Sequence, residues 1–407
     1  MTQQQTHVII GASLAGASAA AALRKQGFDG RIVLIGDEAG SPYERPELSK
    51  KYLRGELETP VLVRPTEFYA EAGIELLAGH RATAVDTARR RVATTDGEIA
   101  YDKLLFATGA SPRRLDVPGA DLAGVHTLRT VQDADAIREA AAEADSVVVV
   151  GGGWIGSEVA ASLRQLGRTV TLVSLTSVPL QHVIGAEVGD VYRRAHEEHG
   201  VHLIAGARVT GLVGEGRVDT VELDDGRRIP AGLVVVGVGA RPRTELAESA
   251  GIDVDSGILV DEHLGTNVPG VYAAGDVANA WHPHYRRRIR VEHWDNAKRQ
   301  GRTAGTNMAG GSTAYDRIPY FYSDQYDIGM EYTGYAPAWD EVVLRGDPES
   351  REFIAFWLAA GRVVAGMNVN VWDVAPAIEQ LVRSGQLVDR ARLADPDQPL
   401  TELAPAA

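Results

Sequence analysis

Three glycines in the middle of the chain have the spacing of a dinucleotide-binding turn. Gly151, Gly153 and Gly156 follow the apolar run 147–150 and precede a predicted helix. One glycine permits the tight bend, one lets the backbone reach a pyrophosphate, and one lets the helix pack closely on the strand. The phosphates then lie at the helix N-terminus, where unpaired amides and the helix dipole favour anions. The spacing therefore predicts a dinucleotide site.

A second turn of this kind lies near the start of the sequence. The apolar run 7–10 meets Gly11, Ser13 and Gly16 before an alanine-rich helix. Ser13 replaces the middle glycine, but its side chain is small enough for close approach and its hydroxyl can bond a phosphate. Two dinucleotide turns in one chain indicate a flavin nucleotide together with a nicotinamide nucleotide.

The two halves differ at the place where a ribose is usually held. The strand predicted at 31–35 ends at Gly36 and is followed by Asp37 and Glu38, so a carboxylate stands where ribose hydroxyls need an acceptor. The corresponding strand of the second half, 169–173, ends at Ser174 instead. Only the first site therefore has the expected acid.

The amino-acid composition excludes electron transfer through cysteine within the chain. The chain has 407 residues, no cysteine and a net charge of −14. Without cysteine there is no redox-active dithiol beside the flavin, no thiolate zinc site and no cysteine-bound iron–sulfur cluster. Electrons must leave the flavin for an acceptor outside the chain. The negative charge argues against general nucleic-acid binding.

The length of the chain predicts two or three domains. The lack of a membrane-spanning run and of a secretory signal predicts a cytoplasmic protein. No apolar run approaches the roughly 20 residues that span a bilayer. The first residues, MTQQQTH, have no basic region of the kind that begins a secretory signal. We expect neither membrane insertion nor export.

The two halves also share a glycine turn after a buried strand, at 101–109 and again at 233–239. Beyond Gly310 aromatic residues cluster and the pattern changes to antiparallel strands. We therefore expect three domains, an α/β first domain built from 1–112 and 246–318, an α/β second domain at 113–245, and an α+β domain at 319–407.

Six motifs in order resemble the pyridine-nucleotide-dependent ferredoxin reductases of the glutathione-reductase fold. They are GASLAG at 11–16, PYERPELSK at 42–50, ATGASPR at 107–113, GGGWIGSEVA at 151–160, YAAGD at 272–276 and VEHWDNAKRQG at 291–301. The resemblance covers essentially the whole chain. It implies two Rossmann-like dinucleotide-binding domains and a C-terminal α+β domain, with FAD and NADH, or NADPH, as cofactors.

The resemblance also implies which residues serve each cofactor. Those expected at FAD are Gly11, Ser13, Leu14, Ala15, Gly16, Asp37, Glu38, Arg45, Lys50, Val85, Ala107, Thr108, Gly109, Arg129, Gly275, Asp276, Glu292, His293 and Trp294. Those expected at NAD(P) are Gly151, Gly153, Trp154, Ile155, Gly156, Glu158, Ser174, Gly237 and Gly239. Asp276 would bond the ribityl chain, or it could cap a helix that follows it.

Lys50 and Glu158 are the catalytic residues that the resemblance implies. Lys50 would lie near flavin N5 and stabilise charge on the reduced flavin, while Glu158 holds the lysine in place. Glu158 could instead be an ordinary helix residue.

The sequence departs from the family pattern at Glu47, where a second proline is usual, and at Ser174, where NADH users carry an acid. The second departure leaves the choice between NADH and NADPH open.

The implied reaction takes a hydride from NAD(P)H onto FAD and passes single electrons to a small acidic ferredoxin that serves a cytochrome P450 or a ring-hydroxylating oxygenase. An NAD(P)H oxidase or quinone reductase, or an NADH-sensing flavoprotein, is the alternative.

Docking an acidic partner on an acidic chain requires a local basic face. Its candidates are Arg286, Arg287, Arg288, Arg290, Arg299 and Arg302, with Trp294 and Tyr322 as the aromatics between flavin and partner. A solvated arginine loop is the alternative for the arginines, and a packing role is the alternative for either aromatic. We expect a monomer or weak homodimer.

Overall fold

The structure is a computed structural model and describes residues 4–403. The helices in this range are α1 Leu14–Lys25, α2 Thr66–Glu71, α3 Val131–Glu143, α4 Trp154–Gln165, α5 Gln181–Glu198, α6 Glu245–Ser249, α7 Trp294–Met308, α8 Ala375–Ser384 and α9 Arg390–Ala394. The strands of the first half are β1 Thr6–Ile10, β2 Arg31–Gly36, β3 Ile74–Ala78, β4 Ala82–Asp86, β5 Arg91–Thr94, β6 Gly97–Ala100, β7 Lys103–Phe106, β8 Ala110–Pro112, β9 Val125–Thr127, β10 Ser146–Val150, β11 Thr169–Ser174 and β12 His202–Ala205. Those of the second half are β13 Val209–Val213, β14 Thr220–Leu223, β15 Arg228–Pro230, β16 Leu233–Val236, β17 Ala240–Pro242, β18 Ile258–Val260, β19 Val271–Ala273, β20 Ala278–His282, β21 Arg287–Ile289, β22 Tyr320–Gln325, β23 Ile328–Gly334, β24 Glu341–Asp347, β25 Glu352–Ala359 and β26 Arg362–Val369.

The chain divides into two compact units. The first contains Met1–Glu44, Val61–Ser111 and Arg241–Pro319. Its central sheet is parallel, in the order β19-β7-β1-β2-β3. Val8 of β1 pairs with Val33 on one side and Leu104 on the other, and all three are fully buried. Continuous apolar strands of this kind are typical of parallel sheets covered on both faces.

Helices α1 and α7 of the first unit pack at backbone distance. A Cβ at Gly301 would lie 2.2 Å from the carbonyl oxygen of Ala15, and one at Gly305 would lie 2.4 Å from that of Ala19. Only glycine permits this approach. The close crossing fixes the helix α1 that begins at the first glycine turn.

The second unit contains Arg45–Pro60, Pro112–Ala240 and Tyr320–Ala407. Its parallel sheet has the order β12-β11-β10-β16-β9, in which Val148 pairs with Thr171 and Val234. This sheet repeats the plan of the first unit, with a strand, a glycine turn and a helix at its centre.

An antiparallel sheet forms the C-terminal part of the second unit, in the order β22-β23-β26-β25-β24. Together with the two parallel sheets it confirms the predicted α/β class with a C-terminal α+β portion. The sheet packs on α5 through a shared apolar core, in which the fully buried Trp357 donates a 3.2 Å hydrogen bond from Nε1 to the carbonyl of Ile184.

Three local expectations were wrong. Pro42 and Pro46 predict an irregular entry to a helix, whereas the structure has only a short 3-10 turn, Pro46–Ser49, at this point. The sequence pattern predicts a helix from Asp190 to His199, but α5 begins nine residues earlier, at Gln181, and has a kink at Gly185, whose φ of +81° is not helical. The proline-rich stretch 393–407 predicts a loose end, but within residues 393–403 the structure buries Leu393 and Leu400; residues 404–407 lie outside the described range.

Candidate functional site

The two predicted glycine turns have the same backbone geometry. Gly11 has φ +115° and Gly151 has φ +110°, values that L side chains rarely adopt. A Cβ at Gly16 would lie 1.9 Å from the carbonyl oxygen of Gly11, and one at Gly156 would lie 1.9 Å from that of Gly151. Each helix is therefore seated directly on its turn, and a side chain at the third glycine would separate them.

The strand neighbours of both turns contribute to this close packing. A Cβ at Gly11 would lie 2.1 Å from the carbonyl oxygen of Ala107, and one at Gly151 would lie 2.4 Å from that of Gly237. The turns after β7 and β16, which the sequence singled out, therefore lie beside the two dinucleotide turns, each within its own unit.

The N-termini of α1 and α4 fit a phosphate group. Neither helix has an acidic residue in its first turn, and neither N-cap residue, Ser13 or Gly153, makes a side-chain capping hydrogen bond. A Cβ at Gly153 would meet nothing within 4 Å, so there is room in front of α4. Each helix has 12 residues and presents its first amides there. These features fit the pyrophosphate of FAD at α1 and of a nicotinamide nucleotide at α4.

The residues between these N-caps and the third glycines differ in exposure. Leu14 and Ala15 of α1 are buried, whereas Ile155 of α4 is 44% exposed. Trp154 lies edge-on to the ring of Phe321, 5.1 Å between centroids. The beginning of α4 is therefore tied by an aromatic contact to the C-terminal sheet of the same unit.

Asp37 and Glu38 follow β2 and already have partners. Asp37 Oδ2 lies 3.5 Å from Arg81 Nη2 and 3.5 Å from Arg243 Nη1. Glu38 accepts a hydrogen bond from the Tyr43 hydroxyl. The Asp37 side chain is 37% exposed, so it can still accept from ribose hydroxyls.

Ser174 ends β11, where the acid of the second site is missing. Its side chain is buried, and its Oγ shares a 2.8 Å hydrogen bond with Thr176 Oγ1. Thr176 Oγ1 also donates to the carbonyl of Val178 at 2.7 Å. A Cβ at Gly152 would lie 2.7 Å from Ser174 Oγ, so this strand end touches the glycine turn. Since residues 174–181 carry no charged side chain, a 2'-phosphate would meet neither repulsion nor attraction from this segment.

The other FAD candidates of the first unit lie at strand ends. Thr108 Oγ1 donates to the carbonyl of Arg243 at 2.7 Å, and Gly109 has φ +68°. Val85 is buried in β4.

Asp276 follows β19 and is 9% exposed. The alternative that it caps a helix is wrong, because a turn and then strand β20 follow it. Gly275 has φ +83°, and a Cβ there would lie 3.0 Å from the Cβ of Ala15 in α1. The backbone just before Asp276 thus lies next to the helix expected to bind the FAD pyrophosphate.

The sequence pattern predicts a helix from Glu292 to Met308, and the observed α7 begins two residues later, at Trp294. Glu292 lies before it and pairs with Arg290. Burial lowers the pKa of His293 to about 4. The ring of Trp294 has the Lys298 ammonium 4.1 Å from its centroid, a cation–π contact.

Lys50 and Glu158 form a buried ion pair within the second unit. Lys50 Nζ lies 2.9 Å from Glu158 Oε2, and the two side chains are 6% and 5% exposed. The lysine also donates to the carbonyl of Pro46 at 3.1 Å. Arg45, one residue before the 3-10 turn, donates to the carbonyl of Arg129. Glu158 is therefore not an ordinary helix residue, because it neutralises a cation that has almost no access to water.

Sequence reasoning missed two members of this cluster, Ser49 and Ser323. Ser49 Oγ donates to Glu158 Oε2 at 2.5 Å, and Ser323 Oγ donates to Glu158 Oε1 at 2.6 Å. Ser49 lies in the motif PYERPELSK next to Lys50, and this position could have marked it as a candidate. No sequence pattern marks Ser323, because it lies 165 residues along the chain from Glu158.

Burial and charge act together around the pair. Burial raises the pKa of Asp324, with Lys50 opposing the rise and Glu158 adding to it. Burial also raises the pKa of Tyr192, and the charge of Glu158 contributes. Lys50 Nζ lies 5.8 Å from the centroid of the Tyr322 ring. A cation here is thus surrounded by acidic and aromatic groups.

The arginines of the predicted basic face differ in their contacts. Arg288 donates from Nη1 to two backbone carbonyls, at 2.6 and 3.1 Å, and Arg299 pairs with Asp295 at 3.1 Å. Arg290 pairs with Glu292, as described above. Arg286 and Arg287 are exposed where β20 turns into β21. Arg288 is exposed on the same hairpin, so all three arginines at 286–288 can contribute positive charge there.

Within residues 4–403, no cluster of three or more His, Asp or Glu side chains is arranged to bind a metal ion. Over the same range, no helix has the length and apolar character needed to cross a bilayer.

Comparison with known proteins agrees with this geometry. Residues 5–301 match the family described as pyridine nucleotide-disulphide oxidoreductase, and residues 320–404 match the family described as reductase C-terminal. The two matches correspond to the dinucleotide turns and to the antiparallel sheet.

Relatives match over nearly the whole chain. The 5,5'-dehydrodivanillate O-demethylase ferredoxin reductase subunit of Sphingobium sp. is 41% identical, covering 98% of each chain. Putidaredoxin reductase of Pseudomonas putida is 35% identical, covering 100% of this chain and 98% of that protein. The crystal structure of a covalent putidaredoxin reductase–putidaredoxin complex superposes with a TM-score of 0.93 at 36% identity, covering 98% of each chain.

Replacing Glu158 by alanine should lower stability far more than removing a surface carboxylate. The change leaves the Lys50 ammonium buried without its partner, which costs about 3–5 kcal/mol. Thermal unfolding of the apoprotein measures the effect. Glu197→Ala on α5 is the control, because its partner Arg193 and Glu197 itself are 32% and 47% exposed and such pairs contribute little. Equal losses in the two variants would contradict the prediction, whereas Lys50→Met combined with Glu158→Leu should recover stability.

Proposed function

The chain belongs to the pyridine nucleotide-disulphide oxidoreductase family, and from this membership we propose that it is a flavoprotein ferredoxin reductase. It takes a hydride from NAD(P)H onto FAD and passes single electrons to a ferredoxin that serves a cytochrome P450 or a ring-hydroxylating oxygenase. The observation that carries the proposal is the pair of glycine turns with matching geometry, in a chain whose relatives over nearly full length are ferredoxin reductases.

The proposed division of labour follows the two turns. FAD, which supplies the hydride acceptor and the one-electron donor, is held by the turn at Gly11 with Asp37 and Asp276. The nicotinamide nucleotide is held by the turn at Gly151. Lys50, fixed by Glu158, stabilises negative charge on reduced flavin.

The absence of cysteine supports an external acceptor. The family description includes disulphide oxidoreductases, but this sequence contains no cysteine and therefore no disulphide to reduce within the chain. The partner we propose is a small acidic iron–sulfur ferredoxin, recognised by charge.

We also propose the domain division 1–112 with 246–318, 113–245 and 319–407, with FAD in the first domain and NAD(P) in the second. The protein is proposed to be a monomer or weak homodimer in the cytoplasm, where NAD(P)H is supplied.

Purified protein should be yellow and should release free FAD on acid precipitation, because no cysteine is present for a thioether link. With NADH it should reduce cytochrome c rapidly only when a ferredoxin is added, and putidaredoxin is a suitable probe. Rapid cytochrome c reduction without ferredoxin, or rapid peroxide formation from oxygen, would favour an oxidase instead. Flavin that stays attached to denatured protein would contradict the non-covalent site.

Ser174→Glu should increase the preference for NADH over NADPH. The new carboxylate would accept from ribose hydroxyls and repel a 2'-phosphate, an effect of about 1–3 kcal/mol. The measurement is the ratio of kcat/KM for the two nucleotides. The control Ser174→Gln introduces a side chain of nearly the same size as glutamate but without its charge, so kcat/KM for NADPH should fall less than in Ser174→Glu. If the ratio is the same in both variants, Ser174 does not lie at the ribose.

Neutralising Arg286 and Arg287 together should lower the ferredoxin association rate and flatten its dependence on ionic strength, while ferricyanide reduction stays unchanged. Arg89→Ala is the control, since this arginine is 81% exposed on another turn of the same unit. A similar slowing in the control would indicate a general charge effect. Equal loss with ferricyanide and ferredoxin would mean that the hairpin supports folding or FAD binding.

A further inference from the structure

Two buried serines hold the carboxylate of Glu158, one at each oxygen. Ser49 donates to Oε2 at 2.5 Å and Ser323 donates to Oε1 at 2.6 Å, and both serines are 2% exposed. Lys50 lies on Oε2 as well. Each carboxylate oxygen therefore has a serine hydroxyl beside it, and Oε2 has the lysine as well; the Ser49 hydroxyl also lies 3.2 Å from the carbonyl of Pro46, a longer distance than to Glu158.

The serine next to the lysine is itself fixed by the helix that carries the glutamate. Ser162 Oγ donates to the backbone carbonyl of Ser49 at 2.6 Å. Glu158 and Ser162 are four residues apart on α4, so they share one face of the helix. This face of α4 contacts the 3-10 turn twice, at the hydroxyl and at the carbonyl of Ser49. Lys50 follows directly after the turn.

The third segment of the cluster comes from the C-terminal sheet. Ser323 lies in β22, and its Oγ also lies 3.5 Å from Gln325 Nε2, which can donate to it. A hydroxyl that accepts from one neighbour and donates to the next is polarised toward the carboxylate. The C-terminal sheet therefore completes the anion that neutralises Lys50.

A lysine side chain without such a fixed counter-ion has four rotatable bonds, and its ammonium can occupy several positions. A carboxylate that is itself held at both oxygens limits the lysine ammonium to a single position. We propose that Ser49 and Ser323 are positioning residues, which act through Glu158 to fix the Lys50 charge and so set the stability of reduced FAD. The inference rests on the proposed function, because it assigns the serines a role only if Lys50 acts on flavin.

The alternative is that the two hydroxyls merely satisfy a buried carboxylate and matter only for folding. The two roles differ in what they change. A folding role lowers thermal stability and leaves the flavin potential of the folded protein unaltered. A positioning role shifts the potential, since less fixed positive charge stabilises the reduced, more negative flavin less.

The test compares Ser49→Ala and Ser323→Ala in the FAD-loaded protein. Each should lower the affinity for reduced FAD relative to oxidised FAD by about tenfold, the effect of one hydrogen bond to a charged group. For a two-electron couple this ratio corresponds to a midpoint potential about 30 mV more negative. Reductive titration against a reference dye measures the potential, and stopped-flow absorbance measures flavin reduction by NADH, which should slow.

Ser157→Ala is the matched control. Ser157 precedes Glu158 in α4, is fully buried, and its Oγ makes no hydrogen bond within the described residues. Removing this hydroxyl should leave the potential and the reduction rate unchanged.

A second comparison separates an effect through Glu158 from any other. In a Glu158→Gln background, Ser323→Ala should cause no further shift of the potential, because the two changes interrupt one path. An equal shift in both backgrounds, or no shift in either serine variant, would overturn the inference. If Ser323→Ala fails to fold, Ser49→Ala in the two backgrounds decides in the same way. If Glu158→Gln alone changes neither the potential nor the reduction rate, the proposed role of the Lys50–Glu158 pair fails, and the serine variants are not needed to show it.

Discussion

Both parallel-sheet units depend on a close contact between backbone segments at their glycine turns, where no side chain can fit. At each dinucleotide turn a carbonyl oxygen occupies the place where a Cβ of the third glycine would be, 1.9 Å away in both cases. Such a contact aims the first amides of α1 and α4 at the carboxyl edge of a parallel sheet. The fold thereby creates two anion sites before any side chain takes part. The glycines of α7 extend the same constraint to the helix that supports α1.

The buried Lys50–Glu158 pair adds a fixed charge to this backbone frame. Taking two ions out of water is costly, and the attraction between them repays the cost only when the remaining donors and acceptors are satisfied. Here the carboxylate receives hydroxyl groups from Ser49 and Ser323, and the lysine also reaches the carbonyl of Pro46. The pair therefore links α4, the 3-10 turn and the C-terminal sheet. An apolar substitute could pack as well, but it would provide no charge to stabilise an anionic reduced cofactor.

The neutral strand end at Ser174 shows how one residue can leave the scaffold intact and alter recognition. Its hydroxyl is used internally by Thr176, and its position touches Gly152, so the turn is preserved. What is lost is the carboxylate that would accept from ribose hydroxyls and repel a phosphate. If the nicotinamide nucleotide binds here as proposed, the helix N-terminus contributes more to its binding than charge selection at the ribose.

The sequence by itself determined the features that are local in the chain. Glycine spacing after an apolar run identified both turns, since only glycine tolerates the φ near +110° and the missing Cβ volume at those positions. Continuous valine and isoleucine runs identified the buried parallel strands, and the lack of cysteine excluded a dithiol. Other outcomes were decided by tertiary packing. Ser323 meets Glu158 only because β22 lies against α4. Leu393 is buried where α9 lies against β24, and Leu400 is buried where its short 3-10 turn, Leu400–Glu402, lies against α8. Arg288 donates to backbone carbonyls of β18 and β20, which are distant from it in sequence. The physical reason is the same in each case: burial and hydrogen bonding depend on which distant segment lies opposite a side chain, and no local pattern encodes that neighbour.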